Sequence, residues 1–193
     1  MKKIKEKIYN WLASLSERSK SIWLGVLAFT ESSFFPIPPD PFLMLATFKK
    51  PKNWIKYSII ISICSIFGGV LGYIIGFFFF DSFGEWLIKT YSLQSQFEIV
   101  KELFAQNAFW AVFISAFTPI PYKIFTISSG FFVINLFVFI IASVLGRTIR
   151  FFIVGAISSF LGKKYAKILI KYFDLVTSFI LLIILIYILF QVF

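Results

Sequence analysis

Long apolar runs separated by short charged segments dominate the pattern of this chain. Residues 57–80 form an apolar run of 24 residues, and residues 135–161 and 174–193 form two more of similar length. A helix needs about 20 apolar residues to cross a hydrocarbon core of about 30 Å. The pattern therefore predicts three transmembrane helices, over 57–80, 135–161 and 174–193.

Two further apolar stretches, 21–48 and 107–132, are interrupted near their middle by prolines. Proline removes a backbone donor and clashes with the preceding turn, so each limb is too short to cross the membrane by itself. We therefore expect two re-entrant helical hairpins, whose open backbone at the break is covered by protein or lines a polar cavity. The prolines at the breaks are Pro36 and Pro38 in the first stretch and Pro119 and Pro121 in the second.

The charged segments predict how the chain is oriented. Residues 1–20, with apolar side chains at helical spacing among six bases, predict an amphipathic helix on an anionic membrane surface. This segment and the clusters at 49–56 and 163–174 together hold 14 basic and 3 acidic residues, whereas 81–102 holds 4 acidic and 2 basic ones. The positive-inside rule then places the N-terminus in the cytoplasm, and the amphipathic segment 81–106 and the C-terminus outside.

Composition agrees with a membrane protein and excludes several functional classes. The chain of 193 residues is 59% hydrophobic and contains 28 Phe, no His and a single Cys. A metal site, imidazole catalysis and an intrachain disulfide are therefore not expected, and we predict no metal, no cofactor and no enzymatic activity. The net charge of +10 lies mainly in the cytoplasmic segments, so nucleic-acid binding is not needed to explain it.

The two hairpins also resemble each other in sequence. The segment Phe35-Pro36-Ile37-Pro38-Pro39-Asp40 aligns with Thr118-Pro119-Ile120-Pro121-Tyr122-Lys123 at a spacing of 83, and Gly72 falls on Gly155 at the same spacing. One hairpin begins in the cytoplasm and the other outside. Opposed repeats with broken helices near the midplane are typical of transporters. The predicted fold is thus an all-α polytopic membrane protein with two oppositely oriented re-entrant hairpins in an inverted repeat, its membrane domain covering 21–171.

Five ionisable residues are predicted at membrane depth, where each is costly and usually faces protein or water. Arg147 and Arg150 lie one turn apart in the 135–161 helix, and either pair with acids and hairpin carbonyls or bind a phosphate. Lys123, in the first turn after Pro121, either helps to bind that phosphate or extends to the membrane surface. Glu31 is a partner for an arginine or a proton-carrying carboxylate.

Asp40 is the fifth of these residues, and it directly precedes Pro41. An aspartate at the N-cap followed by proline at the first helical position is a common start of a helix. We therefore expect Asp40 first as a helix cap, and otherwise as a second residue for ion pairing or proton coupling.

These residues resemble a known family. Phe29-Thr30-Glu31 followed by Phe35 to Asp40 resembles the first signature of the DedA superfamily, also called VTT or SNARE-associated Golgi proteins. Phe117 to Lys123, Gly130, Gly146-Arg147 and Arg150-Phe151 are similar to its YqaA-like branch, although many members have an Arg where this chain has Phe117-Thr118. The resemblance implies two opposed re-entrant hairpins and a role in moving phospholipids or undecaprenyl phosphate between leaflets. It matches Glu31 and Asp40 to the acidic membrane residues and Arg147 to the basic one.

The function expected from the sequence is transport of an anionic lipid headgroup, as a flippase or scramblase in the bacterial inner membrane. Undecaprenyl phosphate or a phospholipid would be the substrate, and Arg147, Arg150 and Lys123 would bind its phosphate. The alternatives are a proton-coupled small-ion transporter and a membrane-organising subunit that transports nothing. Membrane lipids are the expected partners, and homo-oligomerisation is left open.

Overall fold

The computed structural model describes residues 16–35, 37–80, 84–90, 94–118 and 120–160, and this part of the chain contains helices and no strand. A 3-10 turn at Pro51–Asn53 leads into the third helix. The helices are α1 Glu17–Ser33, α2 Asp40–Lys49, α3 Trp54–Phe79, α4 Glu85–Thr90, α5 Gln94–Gln106, α6 Ala108–Phe117, α7 Tyr122–Phe131 and α8 Leu136–Phe160.

Two helices in the described part are long and apolar enough to span a membrane. They occupy Pro51–Phe79, including the 3-10 turn, and Leu136–Phe160. The all-helical class is therefore confirmed for the described residues, and the two candidate helices coincide with the spans predicted over 57–80 and 135–161. The third predicted span, 174–193, lies outside the described residues, as do residues 1–15 of the predicted amphipathic helix.

Both proline-containing stretches are divided into two helices. The chain leaves the helix between Ser33 and Asp40, a segment that contains Pro38, and between Phe117 and Tyr122, where Pro121 is the N-cap of α7. Pro36 and Pro119 lie outside the described residues. The first helix begins at Glu17 rather than at 21, because the side chain of Ser16 accepts a 3.2 Å hydrogen bond from the backbone N–H of Ser19 and so caps the helix.

The two long helices bury small and polar residues and expose large apolar ones. On α3 the buried positions include Ser58, Ser62 and Ser65, whereas Ile63 and Phe67 are 49% and 64% exposed. On α8 the exposed apolar residues are Leu136, Phe137, Ile141, Val144, Leu145, Ile149, Ile153, Ile157 and Phe160. Water would penalise such a surface, but lipid solvates it, so this pattern supports placement in a membrane.

Glycines allow α3 to approach its neighbours at backbone distance. A Cβ atom at Gly68 would overlap the carbonyl group of Phe29 in α1, and one at Gly76 would overlap the carbonyl group of Ile127 in α7. Helices in lipid gain their association energy from such close packing, since lipid tails are as apolar as the side chains. Gly68 and Gly76 therefore join α3 to one helix of each proline-broken pair.

The helices α3 and α8 are antiparallel. The hydroxyl group of Ser58 donates to the carbonyl oxygen of Phe151 at 3.0 Å, and the ring of Tyr73 lies 5.4 Å from that of Phe139. Positions late in α3 thus meet positions early in α8. This relative direction is the one expected of two helices that cross a membrane in opposite senses.

A group of polar side chains holds the start of α1 against the start of α3. The Glu17 carboxylate accepts hydrogen bonds from Lys20 at 2.9 Å, from Asn53 at 3.0 Å and from Tyr57 at 2.5 Å, and forms a 3.0 Å salt bridge with Lys50. Burial raises the pKa of Glu17, but the bonds from Tyr57, Lys20, Lys50 and Asn53 outweigh this effect and lower the pKa to about 2. The carboxylate is therefore held in its charged form.

Candidate functional site

Arg147 is the central cation of a buried polar cluster. The helix α8 places it at 2% exposure, facing α1 and α3. Its Nη2 donates to the Glu31 carboxylate and, at 2.7 Å, to the Ser32 hydroxyl, and its Nε donates to the Ser65 hydroxyl. None of these bonds uses Nη1. One charged and two neutral acceptors therefore surround the Arg147 guanidinium.

Two aromatic rings fix the plane of the Arg147 guanidinium. Its central carbon lies 4.6 Å from the ring centroid of Tyr122 and 5.0 Å from that of Phe151. The Tyr122 hydroxyl lies 2.6 Å from the hydroxyl oxygen of Ser143, to which it donates. Ser143, Arg147 and Phe151 follow one another at a spacing of four along α8 and so share a face. The helix α7, through Tyr122, therefore orients the arginine by cation–π contact.

Arg150 links the two breaks of the proline-interrupted helices. Its Nη2 lies 2.6 Å from Oδ2 of Asp40, and its Nε donates to Oδ1 of the same carboxylate at 3.4 Å. Its Nη1 donates to the carbonyl oxygen of Thr118, in the break between α6 and α7. A two-pronged contact of this kind uses the planar fork of the guanidinium. One arginine thus joins the start of α2 to the end of α6.

The expectation that Asp40 caps a helix is wrong. The N-cap of α2 is Pro39, whose backbone is already helical, and no side chain caps the first turn. Asp40 is instead the first residue within the helix, 1% exposed, with its carboxylate directed at Arg150. The residue pattern Asp-Pro is the same in both arrangements, and only the tertiary position of Arg150 decides between them.

Lys123 makes a different kind of contact from the two arginines. Its Nζ donates a 3.1 Å hydrogen bond to the carbonyl oxygen of Phe35, in the break between α1 and α2. Phe35 and Thr118 are aligned positions of the sequence repeat, and each presents its carbonyl oxygen to a cation. Lys123 forms no salt bridge with any carboxylate in the described part of the chain, and it is partly exposed.

The five ionisable residues form two separate ion pairs and one solitary lysine. Glu31 pairs with Arg147, and Asp40 pairs with Arg150. Sequence reasoning placed the five together but missed the residues that support them, because single serines and tyrosines in apolar helices give no distinctive signal. These supporting residues are Ser32, Ser65, Tyr122 and Ser143.

The described residues contain no group of three His, Cys, Asp or Glu that could hold a metal ion.

Comparison with known proteins identifies the family. The VTT domain matches residues 35–160. This range includes Asp40, Arg147 and Arg150, and Glu31 lies just before it. An uncharacterized protein of Haemophilus influenzae is 34% identical over 154 residues, which cover 80% of each chain. An uncharacterized protein of Histophilus somni is 32% identical over 151 residues, which cover 78% of each chain. No solved structure matches significantly.

The resemblance read from the motifs is therefore confirmed. The motif from Phe35 to Asp40 and the motifs from Phe117 to Phe151 fall within the matched range, whereas Phe29-Thr30-Glu31 precede it. The same range contains both candidate membrane spans, Pro51–Phe79 and Leu136–Phe160. The chain belongs to the VTT domain family and is a membrane protein with a transporter-like role.

Proposed function

We propose that this protein transports the headgroup of an anionic lipid between membrane leaflets, as a flippase or scramblase, without enzymatic activity. The substrate would be undecaprenyl phosphate or a phospholipid, in the inner membrane of a bacterium. The observation that carries the proposal is the polar cluster of three bases and two acids, placed between helices whose outer faces are apolar. Charged side chains at such positions usually mark a substrate or ion pathway.

The carboxylates in this cluster occupy positions that phosphate oxygens could take. The guanidinium fork binds phosphate and carboxylate with the same two-pronged geometry. Glu31 is 14% exposed and Asp40 is 1% exposed, so exchange of a carboxylate for a phosphate would begin at the Glu31–Arg147 pair. Lys123, which is partly exposed, would add a third donor.

The transport pathway would run between two re-entrant hairpins, α1–α2 and α6–α7, related by an inverted repeat. Helices α2 and α7 each contain 10 residues. At 1.5 Å per residue each is about 15 Å long, about half of a hydrocarbon core. Each is followed after a short link by a long helix, α3 or α8, and these two run in opposite directions. The N-terminus would lie in the cytoplasm and the C-terminus outside.

Reconstitution of the purified chain into liposomes tests the proposal. Arg147→Ala is expected to abolish movement of a fluorescent acyl-labelled anionic lipid between leaflets, whereas Lys56→Ala, an exposed lysine of α3, leaves it unchanged. Retention of the helical circular-dichroism signal and of the elution volume would show that both variants fold. Lipid movement at the wild-type rate in folded Arg147→Ala would overturn the proposal.

A proton-coupled small-ion transporter is the second candidate, and the accessible Glu31 carboxylate favours it. A carboxylate that exchanges between an arginine and a proton could couple two fluxes. This function predicts ion flux in liposomes without lipid movement, with a pH dependence that Glu31→Gln removes. A membrane-organising subunit, in contrast, would show neither flux, and variants in the cluster would be without effect.

A further inference from the structure

The charges of the polar cluster do not balance among the described residues. The carboxylates of Glu31 and Asp40 each bind one arginine, Arg147 and Arg150 respectively. Lys123 has a neutral backbone carbonyl as its partner and no salt bridge with a described carboxylate. With both acids ionised, the cluster therefore carries one positive charge in excess, and this charge is located at Lys123.

An ammonium group whose partner is a neutral carbonyl dipole is incompletely compensated. The same group would gain by exchanging the carbonyl oxygen for an anionic oxygen, since hydrogen bonds between two charged groups are stronger than those to neutral acceptors. The exchange would break no ion pair, because Phe35 contributes its backbone oxygen and not a side chain. Lys123 is partly exposed, so an anion can reach it while both arginine pairs remain closed.

We infer that the site accepts a headgroup with a single negative charge, that is, a phosphodiester lipid, and that Lys123 is the first residue to bind it, before either arginine pair opens. This inference rests on the proposed function and selects among its candidate substrates. A phosphomonoester carries nearly two negative charges above its second pKa, which is near 6. Its second charge would stay uncompensated at Lys123 for as long as both arginine pairs remain closed.

The test compares two lipids that differ in headgroup charge, in liposomes that contain the full chain. Acyl-labelled phosphatidylglycerol is a phosphodiester with one charge, and acyl-labelled phosphatidic acid is a phosphomonoester. At pH 9 the monoester carries two negative charges. Movement of each lipid between leaflets is followed by quenching of the label with a membrane-impermeant reductant. We expect the wild-type chain to move the phosphodiester about tenfold faster, the effect of one charge-assisted hydrogen bond.

Variants of Lys123 assign the preference to this residue. Lys123→Gln is expected to slow movement of phosphatidylglycerol about tenfold, and Lys123→Arg is expected to restore most of it, which also shows that the position tolerates substitution. Lys56→Gln, at an exposed position of α3, is the matched control and should behave as the wild type.

The outcomes separate this inference from the proposed function. Equal or faster movement of phosphatidic acid by the wild-type chain would overturn the inference, while the movement itself upholds lipid transport. If Lys123→Gln moves the lipid at the wild-type rate while Arg147→Ala is inactive, the inference is overturned and lipid transport is upheld. Movement of neither lipid by the wild-type chain would overturn the proposed function and the inference with it.

Discussion

Asp40 and Arg150 form a buried salt bridge of 2.6 Å between helices that are 110 residues apart in sequence. The carboxylate is 1% exposed, and the guanidinium is almost as deeply buried. The same arginine also donates to the Thr118 carbonyl. The start of α2, the end of α6 and the middle of α8 are thus joined at one point.

Loss of one partner of this pair should destabilise the protein severely. Arg150→Ala leaves the Asp40 carboxylate buried without its cation, and uncompensated buried charges typically cost about 3–5 kcal/mol. The double variant Asp40→Asn, Arg150→Gln removes both charges and should recover most of this loss. Thermal unfolding in detergent, followed by intrinsic fluorescence, measures both effects. A double variant no more stable than Arg150→Ala would contradict a direct pairing.

The orientation of the two proline-broken helix pairs can be read from cysteine accessibility. The sequence has a single cysteine, so Cys64→Ser provides a cysteine-free background. A re-entrant α1–α2 pair predicts that Arg18→Cys and Lys52→Cys react with an impermeant thiol reagent from the cytoplasmic side. Glu98→Cys in α5 should react from the opposite side. Labelling of Arg18→Cys and Lys52→Cys from opposite sides would mean that the first pair crosses the membrane.

The Glu17 cluster should stabilise the protein in a pH-dependent way. The folded pKa of Glu17 is about 2 and its ordinary value is 4.5, so the folded state favours the charged carboxylate. This contribution is fully present above pH 4.5 and is lost as the pH falls toward 2. Glu17→Gln should therefore lower the midpoint of thermal unfolding at pH 7, and the difference from wild type should shrink as the pH falls through that interval. A difference independent of pH would exclude this electrostatic origin.

The aromatic support of Arg147 predicts a graded effect at Tyr122. Tyr122→Phe removes the hydrogen bond to Ser143 but keeps the ring under the guanidinium, and should cost about 1 kcal/mol of stability. Tyr122→Leu removes the ring as well, and should cost about 1–2 kcal/mol more because the cation–π contact is desolvated. It should also slow lipid movement more than Tyr122→Phe does. Equal effects of the two substitutions on transport would show that the ring does not orient Arg147.

The close approach of α3 to α7 predicts that Gly76 tolerates no side chain. A Cβ atom there would overlap the backbone carbonyl of Ile127, which cannot move without displacing α7. Gly76→Ala should cost about 1–3 kcal/mol, the usual penalty of overpacking. Ile74→Ala, at a position of α3 that is 42% exposed, is the control and should be nearly neutral. The comparison is made by thermal unfolding in detergent. A Gly76→Ala variant as stable as the control would show that α7 can shift to accommodate the added Cβ atom.

Local patterns were enough to predict the two long helices and the two proline breaks in the described part of the chain. The span predicted over 57–80 is the helix Trp54–Phe79, and the span predicted over 135–161 is Leu136–Phe160. Hydropathy gives such boundaries because the length of an apolar run is a property of neighbouring residues. The prolines located both breaks for the same reason, since proline acts on the turn that precedes it.

The partners of the charged residues required the tertiary structure. The sequence favoured Asp40 as a cap and gave ion pairing as the alternative, and it left open whether the arginines bind acids, carbonyls or a phosphate. The structure pairs Asp40 with Arg150 and Glu31 with Arg147. It also gave no indication that Lys123 contacts a carbonyl of the other helix pair. Hydrophobicity and helix breaking act over a few residues, so the chain alone determines them. An ion pair depends on which helix faces meet, and that is decided only when α1, α2, α7 and α8 pack together.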